Sequence, residues 1–334
     1  MPGRIEIEQE IAKTQNPDAV RRRYLADLAA YTGRDTIIYA AGWGAKMIPN
    51  LPATLVSIIP DDIQGFMAAL QGLKGKQLDF ILISQGGSLE AAEQIVNYLR
   101  SKYDHIRVIV PQNAMSAATM IACAGDVIVM GKQSAIGPID PQITLPNGAI
   151  MFTSPAHAIL ADFDRAKKEV MDNPRAAPLW ASKLQTLPHG ILSMCQNVID
   201  RSKERVADWL EKYMKLPKEK AVEVADWLGS VNEHKSHGRP ICLQLAEEHG
   251  LKVDKLEVDQ SLQDKVLSVF HATMVTLVAT PCVKLIESHQ GRGYYSQLQT
   301  MMPIAVPGMP GMPNPGFPVP GLPGQPMKRP DAPG

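Results

Sequence analysis

The sequence predicts an α/β protein built on a mostly parallel sheet, with a helical C-terminal part and a structureless tail. Three observations predict it. Short β-branched runs alternate with helical stretches up to about Met130, helical periodicity dominates after Ile150, and composition breaks sharply at Pro303.

Residues 1–34 read as an N-terminal helical segment. Tyr24, Leu25 and Leu28 offer an apolar stripe, while Arg21, Arg22 and Arg23 are expected to face solvent. A globular body follows over 35–299. In it, Thr36–Ala40, Leu78–Ser84, Ile106–Val110 and Val127–Met130 read as strands. Leu89, Ala92, Val96 and Leu99 keep helical spacing between the second and third, so βαβ units with right-handed crossovers are expected. Beyond Ile150, Leu192, Cys195, Val198 or Ile199, Val206 and Leu210 recur at helical spacing. Pro217 opens a helix carrying Ala221, Val224 and Leu228, and Gly250 ends a shorter one. The stretch Val266–Ile286 is apolar, but His271, Pro281 and Lys284 interrupt it. It therefore reads as a buried or subunit-contact helix rather than a membrane span. Residues 300–334 form a Pro/Gly/Met-rich tail. With 11 prolines and 6 glycines in the 32 residues from Pro303, it cannot sustain regular hydrogen bonding.

Composition excludes several classes of function. Lys+Arg and Asp+Glu both number 34, so no basic excess marks a nucleic-acid or membrane footprint. A substrate must be recognised locally, in a cleft. Cys123, Cys195, Cys242 and Cys282 share no metal-ligand spacing, and reduced thiols in a cytoplasmic setting fit better than a disulfide framework. The opening Arg4-Ile5-Glu6-Ile7-Glu8 has no apolar core of a signal peptide. No GxGxxG follows a strand, so no nicotinamide cofactor is implied, and no other cofactor is expected.

Chemistry concentrates at the ends of two of these strands, where parallel sheets place their sites. Ser84-Gln85-Gly86-Gly87-Ser88 joins a strand to a helix. Its glycines permit positive φ and close approach, and its amides suit an oxyanion; the bland alternative is an ordinary turn with a serine cap. Pro111-Gln112-Asn113-Ala114-Met115-Ser116-Ala117-Ala118-Thr119-Met120 joins the next strand to a helix of small residues. Ser116 is there either a rigidly held nucleophile, with the Ala117 amide beside it, or a helix cap.

Taken with Ser134-Ala135-Ile136-Gly137-Pro138-Ile139-Asp140-Pro141-Gln142, these two turns resemble the serine dehydrogenase proteinase family. That family is related to signal peptide peptidases of the protease-IV type and, more distantly, to Clp protease and crotonase. The likeness runs from about Arg34 to Val253 and takes in His234–Ile241. It implies a Clp/crotonase-like spiral of repeated ββα units and a serine peptidase. Ser116 would be the nucleophile, Gly87 and Ala117 the oxyanion donors, and Gly86, Ser88 and Gln85 the substrate-binding residues. Trimer-based homo-oligomers are also implied. Gln85 and Ala118 depart from the family's usual Pro and Gly and would reshape the cleft.

A serine hydroxyl needs a base. Clp proteases carry a histidine in the stretch that here reads Ala135–Gln142, which holds none. Protease-IV relatives instead use a downstream lysine kept neutral by burial, which implies Lys168 first and Lys167 next, with Lys183 and His157 behind. Asp140 either orients a base or is a turn residue between prolines. His234, His237 and His249 lack the spacing of a zinc site, and their loop is expected at a structural or substrate-edge position.

The leading expectation is an endopeptidase acting on a peptide or protein substrate. A crotonase-like acyl-CoA hydratase or thioesterase stands second, and third a catalytically silent scaffold that binds a partner through its Pro-rich tail.

Overall fold

Helices α1 (Arg4–Thr14) and α2 (Pro17–Thr32) open the chain in the computed structural model, which describes residues 3–43, 51–147 and 150–298. The expected tail at 300–334 lies outside these residues. Pro17 sits in the first turn of α2, where its missing N–H costs nothing, and the Asn16 side chain accepts from the Ala19 amide at 3.0 Å.

Strands and helices then alternate through β1 (Asp35–Ala41), α3 (Asp62–Leu70), β2 (Gln77–Ile83), α4 (Leu89–Lys102) and β3 (His105–Val110). Next come β4 (Asn113–Ala114), α5 (Ala117–Cys123), β5 (Val127–Met130) and β6 (Ala135–Ile136). The four expected strands are therefore present as β1, β2, β3 and β5. After β6 the chain is less purely helical than its periodicity suggests. A hairpin of β7 (Gln142–Asn147) and β8 (Ile150–Pro155) precedes α6 (Ala156–Asp172), α7 (Ala177–Leu184), α8 (Ile191–Lys212), α9 (Lys218–Leu228) and α10 (Val231–His234). The described chain closes with β9 (Ile241–Cys242), α11 (Leu243–Glu248), β10 (Val253–Lys255), α12 (Gln260–Ala279), β11 (Cys282–Ser288) and β12 (Gly293–Gln297).

The central sheet runs β10-β5-β3-β2-β1-β11-β12. Its first five strands are mutually parallel, and β11 and β12 are antiparallel additions. Both faces are covered, which is why β2 reads as a continuous apolar run. Phe66, Phe80, Ile95, Val96 and Ile121 pack on the face holding α3, α4 and α5. Leu25, Leu28, Ile81, Val266 and Val269 pack on the other, beneath α2 and α12.

Two expectations fail here for physical reasons. The stretch Val266–Ile286 is not one helix: Thr280 is extended before Pro281, as a residue preceding proline tends to be, and the chain re-enters the sheet as β11. The apolar stripe of α12 is buried in part within the protomer, where Ala272 and Val275 pack against Ile7, Ile11 and Val20, while Val278 stays exposed. Nor do all three arginines of α2 face solvent. Arg21 is fully buried and donates to Glu287 at 2.8 Å, while Arg22 donates to the same carboxylate at 2.5 Å. The pair ties α2 to β11, so the N-terminal helices are part of the same compact unit as the sheet. Among the described residues no helix is long and apolar enough to cross a membrane.

Candidate active site

The turns after β2 and β4 are locked side by side. Ser84 N donates to Asn113 O at 3.0 Å, and Met115 N donates to Ser84 O at 2.9 Å. Gly86, at φ +100°, lies so close to the second turn that a Cβ there would stand 2.7 Å from Met115 O and 2.7 Å from Ser116 Cβ. Only glycine allows that approach.

Ser116 stands at φ +54° and ψ −121°, a backbone conformation that a side-chain-bearing residue holds only under tertiary constraint. It occupies the cap position of α5, yet its hydroxyl makes no capping bond. Ser88 does the opposite: its side chain accepts from Ala91 N at 3.2 Å and donates to Glu90 at 2.9 Å. The helix behind Ser116 is anchored by Thr119, whose hydroxyl donates to Ala114 O at 2.7 Å and accepts from Gly137 N at 2.9 Å.

Ile58 runs beside the glycine turn. Its N–H donates to Gly86 O at 2.8 Å, and its carbonyl accepts from Ser88 N at 2.9 Å. A trans peptide points its N–H opposite its C=O. The bond to Gly86 O therefore turns the Gly87 N–H away from Ile58, and Gly87 lines the cleft. No hydrogen bond engages the Gly87 or Ala117 amide among the described residues. Both amides flank Ser116 in one cleft of about 420 Å³, where Gln85, Gly86 and Ser88 also stand.

The same cleft holds His237, which sequence reasoning put at a substrate edge or in a structural role. Its Nδ1 lies 2.8 Å from Asp140 Oδ1, and Gln142 donates to Asp140 Oδ2 at 2.7 Å. With a carboxylate acceptor on Nδ1, that nitrogen carries the proton in the neutral tautomer this pairing selects, and Nε2 is then the acceptor. A three-stranded sheet, β4-β6-β9, brings these groups together: β6 leads into Asp140, and β9 follows directly on the His237 loop.

The lysines stand elsewhere. Lys168 and Lys167 are exposed on α6 and do not line the cleft, and exposed Lys183 is paired with Asp162 at 2.7 Å. The burial that would keep an amine neutral is missing at all three. His157 is half-buried at the start of α6. Its pKa is pulled below the ordinary 6.5, first by burial and then by Lys203, and it too stands outside the cleft lining. The other histidines of the expected edge loop are engaged separately. His234 Nε2 meets Trp227 O at 2.8 Å, and His249 stacks on the Trp227 ring at 3.7 Å. Among the described residues, no group of three or more His, Cys, Asp or Glu side chains is arranged to hold a metal.

A sequence model of the ClpP-like SDH-type serine proteinases matches residues 56–288. Two uncharacterized proteins of Methanocaldococcus jannaschii are similar. MJ0137 is 30% identical over 205 residues, covering 61% of this chain and 63% of its own length. MJ1495 is 30% identical over 177 residues, covering 53% and 52%. The chain thus spans between about half and just under two thirds of the curated relatives it matches. Among solved structures, a mutant of the 1510-N membrane-bound stomatin-specific protease aligns at 14% identity and a TM-score of 0.37, over 63% of this chain and 79% of that one. A second mutant of that protease, in complex with a substrate peptide, aligns at 18% identity and a TM-score of 0.28, over 64% and 93%.

Proposed function

This chain belongs to the ClpP-like SDH-type serine proteinase family, and from that premise we propose that it is a serine peptidase working by acyl transfer through Ser116, with His237 as base. One observation carries the reading: a strained, uncapped Ser116 shares a cleft with an Asp140–His237 pair and two free amides.

In this reaction Ser116 Oγ attacks the scissile carbonyl carbon and passes its proton to His237 Nε2. The Gly87 and Ala117 amides donate to the oxygen that gains charge. Asp140 holds the imidazole in one tautomer and stabilises the imidazolium. His237 then protonates the leaving amine, the C–N bond breaks, and an acyl-serine remains. Water, deprotonated by the same imidazole, releases the acid and restores Ser116. Ile139, Ile143, Met120 and Val198 give the cleft an apolar wall suited to a substrate side chain, with Gln85 and Ser88 at its edge.

Lysine-dyad chemistry through Lys168 or Lys167 has the weaker support, because both ammonium groups are hydrated. The silent-scaffold alternative gains weight only where no base lies near Ser116, and His237 lines the same cleft. A hydratase has no need of a hydroxyl on a strained turn beside an imidazole. Trimer-based assembly, a cytoplasmic setting and a partner for the tail belong to the same proposal, supported by the resemblance and the composition.

The test is covalent. A fluorophosphonate probe should label the protein once per chain, with the adduct mapped to Ser116 and labelling blocked by competing peptide. A chain that hydrolyses peptides while Ser116 remains unmodified would refute the reading.

A further inference from the structure

A second, wholly buried group of polar side chains lies behind the glycine turn. Lys284 on β11 and Asp62 at the start of α3 are both 1% exposed and pair at 2.5 Å. Lys284 Nζ also donates to Ser57 O at 3.0 Å. The second oxygen of Asp62 accepts from Ile59 N at 3.1 Å and from the Tyr39 hydroxyl at 2.9 Å. Burial, with Asp62 beside it, pushes the Tyr39 phenol well above its usual range, so it remains a donor.

These bonds converge on one short segment. The ammonium grips the carbonyl of Ser57 and the carboxylate grips the amide of Ile59. Between them Ile58 is left with both backbone groups directed at Gly86 and Ser88. Gly87 fits so tightly there that a Cβ would stand 2.2 Å from Ile58 O. An ion pair buried this deeply costs desolvation that apolar residues would avoid, so stability alone is a poor account of it.

We propose that the buried Lys284–Asp62 pair, with Tyr39, is a positioning unit for the active site: it clamps Ser57–Ile59 so that Ile58 holds the Gly86–Gly87 peptide with its N–H toward the oxyanion. None of the three side chains touches substrate. The proposal rests on the reading of Ser116 and Gly87 above.

Removing one partner leaves a buried charge unpaired, and Lys284→Met alone is therefore expected to unfold at lower temperature. The decisive variant is Tyr39→Phe/Asp62→Leu/Lys284→Met, which empties the site of charge and releases the Ser57 carbonyl and the Ile59 amide from their side-chain partners. With p-nitrophenyl butyrate as substrate, kcat should fall about tenfold to a hundredfold while KM stays within about twofold, because an oxyanion donor acts in the transition state. Fluorophosphonate labelling should slow by the same factor. A purely structural role would move the melting temperature and leave kcat unchanged well below it; a folded triple variant with wild-type kcat overturns the proposal. Ser116→Ala, measured alongside, separates the two readings. If it keeps activity, the Ser116 assignment fails; if it is inactive while the triple variant is normal, the clamp alone fails.

Discussion

Ser88 and Ser116 occupy the same place in two successive strand-to-helix turns, yet the fold treats them oppositely. Ser88 has ordinary extended backbone angles and spends its hydroxyl on capping α4. Ser116 has positive φ, caps nothing, and is pressed against Gly86. A cap lowers the energy of the helix that follows it. A strained, uncapped serine does the reverse and must be held by its surroundings, here by the bonds through Ser84 and Thr119. The difference teaches that the residue pattern of a turn is the same for a capping serine and for one held uncapped under strain; the backbone angle separates them.

The sharpest break of this comparison exchanges each serine for alanine. Ser116→Ala should reduce hydrolysis about 10³-fold or more while leaving the urea midpoint nearly unchanged. Ser88→Ala should lower stability by about 1 kcal/mol and keep kcat within a few-fold. Equal effects on activity would show that the two turns do not differ in role.

A second contrast is between the bases. His237→Ala should lower kcat about 10²-fold or more, since it removes a positioned proton acceptor. Lys168→Met and Lys167→Met should leave both rate and pH profile as they are. A large loss in Lys168→Met with a normal His237→Ala would return the chemistry to a serine–lysine pair.

The smallest effect concerns the loop that carries His237. His234 is buried, its Nε2 donates to Trp227 O, and its Nδ1 has no partner among the described residues; burial holds its pKa below the ordinary 6.5. The unfolded chain therefore takes up a proton near that value before the folded one does. Stability should be full above about pH 6.5, decline as pH falls toward the depressed folded value, and level off below it. His157 adds a slope of the same sign. His234→Gln, which keeps a donor for Trp227 O, should make the decline shallower in urea titrations between about pH 5 and 8. An unchanged slope would remove His234 from the account.

Local pattern by itself determined much of this protein. Runs such as Leu78–Ser84 are apolar because a central parallel strand is covered on both faces, and that requirement is visible in the residues. Small residues after Ser116 and the Gly86–Gly87 pair are visible for the same reason: close backbone approach excludes side chains. The tertiary structure decided the rest. Asp140 and His237 are separated by 97 positions and meet because β6 pairs with β9. Lys284 reaches Asp62 because β11 turns back beside β1, a pairing concealed by an apolar run that reads as one long helix. Arg21 looks like a solvent charge until Glu287 arrives from β11 to neutralise it. Periodicity reports which side of a segment is buried; it carries no information about which distant segment does the burying.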